Sequence, residues 1–382
     1  MNPMDELRAA RPAHLGDVPV DEGTRAKELT YAMSRPRPAR RRARKLVRPV
    51  WGISLAGAAA AVAAATVVVT GTGGTTPRAP DPVAQPGQTA TATPTAAKVR
   101  LSAREVLLAA AEKAGSQPDE MGAWWHTTSV HRTLFEAAKG GYLVLDQQRS
   151  ETWTPSATGG DQWGRTRSLG ARPATAADEA AWQRAGSPTE IDVKVWRKLG
   201  GMRLSTSPGK PSEGHTPLVD GDKVFWLGRN VTMKELRALP SDPGELKAWL
   251  LRSYKGHDTE TSSIPMGSDA WLFRVSTGLI TDMPVTPEVR AAAFRMLADL
   301  DSVEVIENVT DAEGRQGTAV AVEEKLKDGV LENRLIFDQE TGRTRATESV
   351  VVEPGGAQAA FEPGTVWNSV AVLEAGWTDS RS

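Results

Sequence analysis

Five histidines, many carboxylates and twelve tryptophans are the residues with chemical potential in this 382-residue chain, which has no cysteine. The missing thiols remove disulfides, cysteine-ligated zinc, iron–sulfur clusters and cysteine nucleophiles. His126 and His131 stand five apart in a segment that alternates like a strand, so they point to opposite faces. His14 lies far upstream, and His215 and His257 fall in polar stretches. Ser207 to Lys210, SPGK, has the spacing of a Ser–Lys couple but sits among Pro and Gly rather than at a helix start. No HExxH, GxSxG or phosphate-binding loop occurs, and DGD at 220–222 lacks the spacing of a calcium loop. No catalytic residue, cofactor or metal ligand is therefore assigned, and the expectation is a protein that is not an enzyme.

Tryptophan is the unusual feature: twelve of the 21 aromatic residues are Trp. Large amphipathic rings suit a groove for lipid, peptide or glycan. Trp124, Trp153, Trp196, Trp226 and Trp271 are the candidate groove residues. The same rings can instead fill core and sheet faces in a chain poor in Phe, and both readings stand at this level.

The elements that must position these rings begin with charge. The net charge is -1, but residues 1–49 carry twelve Lys/Arg against six Asp/Glu, a net of +6, and the remainder carries -7. The near-zero total argues against direct nucleic-acid binding. Between the halves, Val50 to Thr70 holds 21 uncharged residues. A helix of that length spans about 31 Å, enough for the hydrocarbon core of a bilayer. Eight of its residues are Ala and seven are Val, Ile or Leu, so insertion is favourable without being strong. Arg40, Arg41, Arg42, Arg44, Lys45 and Arg48 crowd its front end. By the positive-inside rule they keep the head in the cytoplasm and send the body out. A cleaved leader competes with a retained anchor, but the apolar run exceeds the usual 7–15 residues of a leader core. Either way the body is exported.

Residues 71–97 are Gly, Thr, Pro or Ala at 22 of 27 positions and read as a disordered stalk. The expected organisation is a cytoplasmic basic head over 1–49, a membrane helix over 50–70, the linker over 71–97 and an exported α+β domain over 98–382. Within the last, Ser102 and Glu105 form a capping box before a helix. Alternation predicts strands over 124–135, 142–155 and 190–199. Helices are expected from Met233, after Ser241 or Asp242, and from Pro287. Two consecutive hairpins turn at DAEG (311–314) and DQETG (338–342), which points to an antiparallel sheet. The simplest expected architecture is a curved sheet with helices packed on its concave side; two smaller lobes are the alternative, since the helical block sits between two strand-rich halves.

LRALPSDPGELKAWL (236–250), RAAAFRMLADLDSVEVIENVTDAEGRQGTAVAV (290–322), LIFDQETGRTRATESVVV (335–352) and VLEAGWTDS (372–380) carry a likeness. With the basic anchor, they make the chain resemble a family of single-pass membrane proteins of high-GC Gram-positive bacteria, often encoded beside a sigma factor. The polar DLDS (299–302) departs from the tighter Pro-Gly turn of that pattern. The strand–helix order is also similar to the half-barrels of lipoprotein carriers and sigma-pathway regulators, a likeness of fold alone. The resemblance implies a cell-membrane location, a non-enzymatic sensor outside and a sigma factor as partner of the head inside. The alternative it implies is a lipid or lipoprotein carrier with a Trp-lined concavity.

Overall fold

The computed structural model describes residues 102–195, 202–227, 229–259 and 264–381. The basic head, the apolar segment, the linker and Trp196 lie outside the described residues. Among the described residues no helix is long and apolar enough to cross a membrane.

The architecture is α+β. Ten strands form one large antiparallel sheet. Its path runs β10 (Glu304–Thr310), β11 (Gln316–Leu326), β12 (Gly329–Phe337), β13 (Thr344–Glu353), β14 (Val366–Thr378), β1 (Trp124–Glu136), β2 (Leu143–Pro155), β3 (Asp161–Ser168) and β7 (Ser212–Pro217). The short β4 (Arg172–Pro173) also pairs with β2. The chain thus closes its last strand onto its first, and β14 joins the two strand-rich halves. Two hairpins stand apart from this sheet: β5 (Glu190–Val193) with β6 (Met202–Ser205), and β8 (Lys223–Trp226) with β9 (Arg229–Thr232).

The helices gather on one face. α1 (Ala103–Gly115) opens with the Ser102–Glu105 capping box and packs along α6 (Pro287–Ala298). α3 (Met233–Arg237) and α4 (Pro243–Leu251) follow β9; Asp242, not Ser241, caps α4, and Pro243 occupies its first turn. α5 (Ser268–Thr281) lies over β11 and β13. Leu107, Leu246, Trp271, Phe294 and Leu297 meet Val320, Leu335 and Phe337 from the sheet in the main core. Proline at the first turn and a Thr286 cap explain where α6 starts, since both remove unpaired N–H groups.

The turn at DQETG shows why its glycine is needed. Gly342 has φ +67°, and a Cβ there would stand 2.8 Å from the Ala110 carbonyl oxygen of α1. The hairpin tip is thereby held against the first helix. The opposite sheet face has its own small apolar row, Ala319, Ile336 and Ala346, flanked by Ile306 and Val309. A third cluster forms where β5 and β6 meet β1, β2 and α2 (Ala176–Arg184).

Three expectations need correction. The strand from Glu190 ends at Val193, with Lys194 and Val195 outside it and 196–199 outside the described residues; Val195 still packs on the same apolar cluster. α2 was not foreseen, because its low amphipathicity leaves no buried residue to set a period. α5 was not foreseen either. Its N-cap is Gly267 without a side-chain cap bond, and Ser276, Thr277 and Gly278 weaken its interior propensity. Tertiary burial overrides that weakness: Trp271, Leu272, Phe273, Leu279 and Ile280 are all in the core.

Candidate functional site

Strand alternation decides which rings meet. On β1, Trp125 faces the helices: its indole N–H donates to the Asp282 carbonyl at 2.7 Å, and Arg290 of α6 lies over its ring. The β1–β2 pairing is unbroken, so Trp124 and His126 face the other way. His126 lies opposite Trp153, Trp153 opposite Trp163, and Trp163 opposite His215. Four rings from β1, β2, β3 and β7 therefore form one row across the sheet face turned away from α6.

The row is stacked at both ends. His126 and Trp153 lie 4.7 Å apart at 11°, and Trp163 and His215 lie 4.4 Å apart at 22°. Such pairs add to plain burial by about 0.5–1.5 kcal/mol each. The next row along the strands is ionic. Arg165 donates to Glu213 at 2.7 Å and to Glu151 at 3.2 Å, and Arg149 donates to Glu151 at 3.0 Å. On the other side Asp161 holds the Nδ1 of His215 at 2.5 Å. Glu374 stands 3.7 Å from the Nδ1 of His126.

A guanidinium already occupies the row. The Arg381 side chain sits 3.9 Å from the Trp163 ring centre and 5.1 Å from that of Trp124. Arg165 lies 5.5 Å from the centre of Trp153. Trp153, Trp163, Gly164, Arg165, Glu213 and Arg381 enclose a recess of about 240 Å³. Chemically, this surface takes a planar cation between indole faces, with carboxylates nearby to hold its charge. It contains no nucleophile–base pair, and among the described residues no cluster of three metal-ligating side chains occurs.

The groove residues chosen from sequence separate in space. Trp153 belongs to the ring row, and Trp124 stands beside it on the same face. Trp226 and Trp271 face the helix side and are core residues: Trp226 stacks on Trp249 at 5.9 Å, and Trp271 meets Tyr254 at 5.5 Å. Sequence reasoning missed the role of Trp163, His126, His215 and Arg381. The signal was present in the turn at Gly159–Gly160: a tight hairpin there sets Trp153 opposite Trp163. His215 needed a non-local pairing that spacing does not encode.

His126 and His131 do fall on opposite faces. His131 bonds to Ser129 at 3.0 Å, and burial pushes its imidazole down to about 4. Its unfolded value is near 6.5, so the folded state binds its proton less readily. The stability it contributes is present above about pH 6.5 and is lost as pH falls toward 4. Replacing His131 by Gln is expected to flatten the acid side of the stability profile over that window, read from urea midpoints at pH 4 to 7. An unchanged slope would show that this ring is not the titrating group.

Scanned against models of protein families and searched against curated proteins, the chain finds no match in either.

Proposed function

We propose that this chain is an anchored cell-envelope protein whose exported body is a non-enzymatic binding module, and that the ring row is its contact surface. The support is the Arg381 guanidinium resting against Trp163 and Trp124, because it marks the surface as one that accepts a planar cation. Carboxylates outnumber guanidinia around it: Asp161, Glu151, Glu213 and Glu374 stand against Arg149 and Arg165 once Arg381 is displaced. The ligand class that fits is a basic peptide segment presenting an arginine. In this reading Arg381 is an internal competitor, and a ligand must displace it.

The basic head and apolar segment supply the remainder of the reading. One side of the membrane carries the binding body, and residues 1–49 on the other side engage a partner, a sigma factor by family likeness. A carrier of lipid is the weaker reading, because Trp226 and Trp271 are buried among core side chains instead of lining an open concavity.

The test is titration of the full chain in detergent micelles with a short arginine-containing peptide. Trp163→Ala is expected to weaken binding about 5- to 30-fold, the size of one or two cation–ring contacts. Arg381→Ala is expected to tighten it a few-fold. Equal affinity for the peptide and its citrulline analogue, or no change with Trp163→Ala, would overturn the proposal. Co-extraction of lipid with the body would favour the carrier.

A further inference from the structure

A second concavity lies on the helix side, remote in character from the ring row. It measures about 640 Å³ and opens between the start of α6, the DQETG turn and the end of β14. Trp125, Trp377, Ile280 and Val285 give it an apolar wall. The two indoles meet edge to face at 5.3 Å, and the Trp125 N–H is tied to the Asp282 carbonyl, so that wall is preset.

Arg290 projects from the first turn of α6 into this wall. Its guanidinium makes no hydrogen bond and no ion pair with any described residue; the Trp125 ring, 5.9 Å away, is its one contact partner of note. Its Nε is buried and unsatisfied. Asp119 is the one nearby charge that favours its charged form, and it bonds to another guanidinium, that of Arg237, at 2.5 Å. Arg345 and Arg315 are matched to Asp338 and Asp311. Arg343, on the rim, is exposed, and its guanidinium pairs with no side chain among the described residues. Burial first, then repulsion from Arg343, pulls Arg290 down to about 10, which leaves it charged at neutral pH.

A half-buried guanidinium that bonds no carboxylate and keeps a buried, unsatisfied Nε is costly, and folded proteins rarely keep one without use. We propose that the cleft binds a carboxylate-bearing ligand, with the carboxylate seated on Arg290 and an apolar or aromatic body against Trp125 and Trp377. A guanidinium fork matches a carboxylate in two parallel hydrogen bonds. A monoanion fits better than a phosphate dianion, because Glu120, Asp338 and Glu374 also line the cleft and repel the second charge. The volume accepts one or two residues of a peptide C-terminus or a small aromatic acid.

The experiment is calorimetric titration of the full chain in micelles at pH 8 with N-acetyl-L-phenylalanine, its amide and phenyl phosphate. The acid is expected to bind at least tenfold more tightly than the amide and more tightly than the phosphate. Arg290→Gln is expected to erase that preference without lowering the melting temperature, since it removes a desolvated charge that bonds no carboxylate. Arg343→Gln, on the exposed rim, is expected to weaken the acid two- to fivefold and serves if the first variant does not fold. Equal behaviour of acid and amide, tighter phosphate binding, a preference that survives Arg290→Gln, or an Arg343→Gln variant that binds like the parent would each overturn the assignment.

Discussion

Replacing Arg274 by Ala is expected to lower the stability of the domain by about 3–5 kcal/mol, the range for breaking a buried charge cluster by removing one partner. Arg274 stands on α5 and bonds two carboxylates at once: Asp258 in the preceding loop, and Glu324 of β11 at 2.7 Å. Asp258 is 1 % exposed and Glu324 is 3 % exposed. Glu324 also accepts from the Asn333 amide of β12 at 2.7 Å, and Asn333 accepts from the Ser349 hydroxyl of β13 at 2.9 Å. One guanidinium therefore ties a loop, a helix and three strands. Without it, two acids in a low-dielectric interior lose the cation they share, and the charge they keep there becomes costly. Conversion to neutral partners, Asp258→Asn with Glu324→Gln in the Arg274→Met background, is expected to recover a large part of the loss. Urea midpoints at pH 7 measure both effects. A loss under 1 kcal/mol for Arg274→Ala would mean that the cluster is solvated in a way its burial contradicts.

That cluster also shows what a linear reading can and cannot supply. The hairpins around DAEG and DQETG were legible because alternation is local and the turns carry Gly, so β10 to β13 follow from the residues themselves. The cap at Ser102 was legible for the same reason, and that of α4 was narrowed to Ser241 or Asp242; each observed cap, Ser102 and Asp242, bonds the N–H three residues on. Arg274, by contrast, sits in a helix whose pattern is blurred by Ser276, Thr277 and Gly278, and its partners are 16 and 50 residues away. Nothing in a local window marks it as buried. The ring row fails by half. Trp153 and Trp163 flank a glycine turn, and the strand at 124–135 was clear, yet pairing β1 with β14, and β3 with β7, depends on contacts far apart in the chain, such as Trp163 with His215. Choosing Trp226 and Trp271 as groove residues failed because ring type alone does not say which face a residue takes; their helix-side neighbours do.

Glu348→Gln is expected to stabilise the domain above pH 7, by an amount on the order of 3 kcal/mol relative to the parent chain. Glu348 of β13 faces away from the helices, is 9 % exposed, and lies 3.9 Å from Arg334. Burial pushes its carboxyl up to about 7; Arg334 opposes the shift, and the nearby Asp311 adds to it. In the unfolded chain the same carboxyl titrates near 4.5. A folded value above the unfolded one means that the native state holds the proton more tightly. The resulting stabilisation is complete below about pH 4.5, declines as pH rises through about 7, and is gone beyond it. The interval of roughly 2.5 pH units, at 1.36 kcal/mol each, sets the magnitude. Gln cannot ionise, so the variant loses this slope and keeps the neutral side chain beside Arg334. The gap between variant and parent should therefore widen steadily from pH 4.5 to 7 and then level off, whatever other groups titrate in both chains. Arg334 also bonds Glu332 at 2.5 Å, so loss of the Glu348 charge leaves that guanidinium with a partner. A gap that stays constant across the window would show that Glu348 is ionised in the native state throughout, with Arg334 holding it charged.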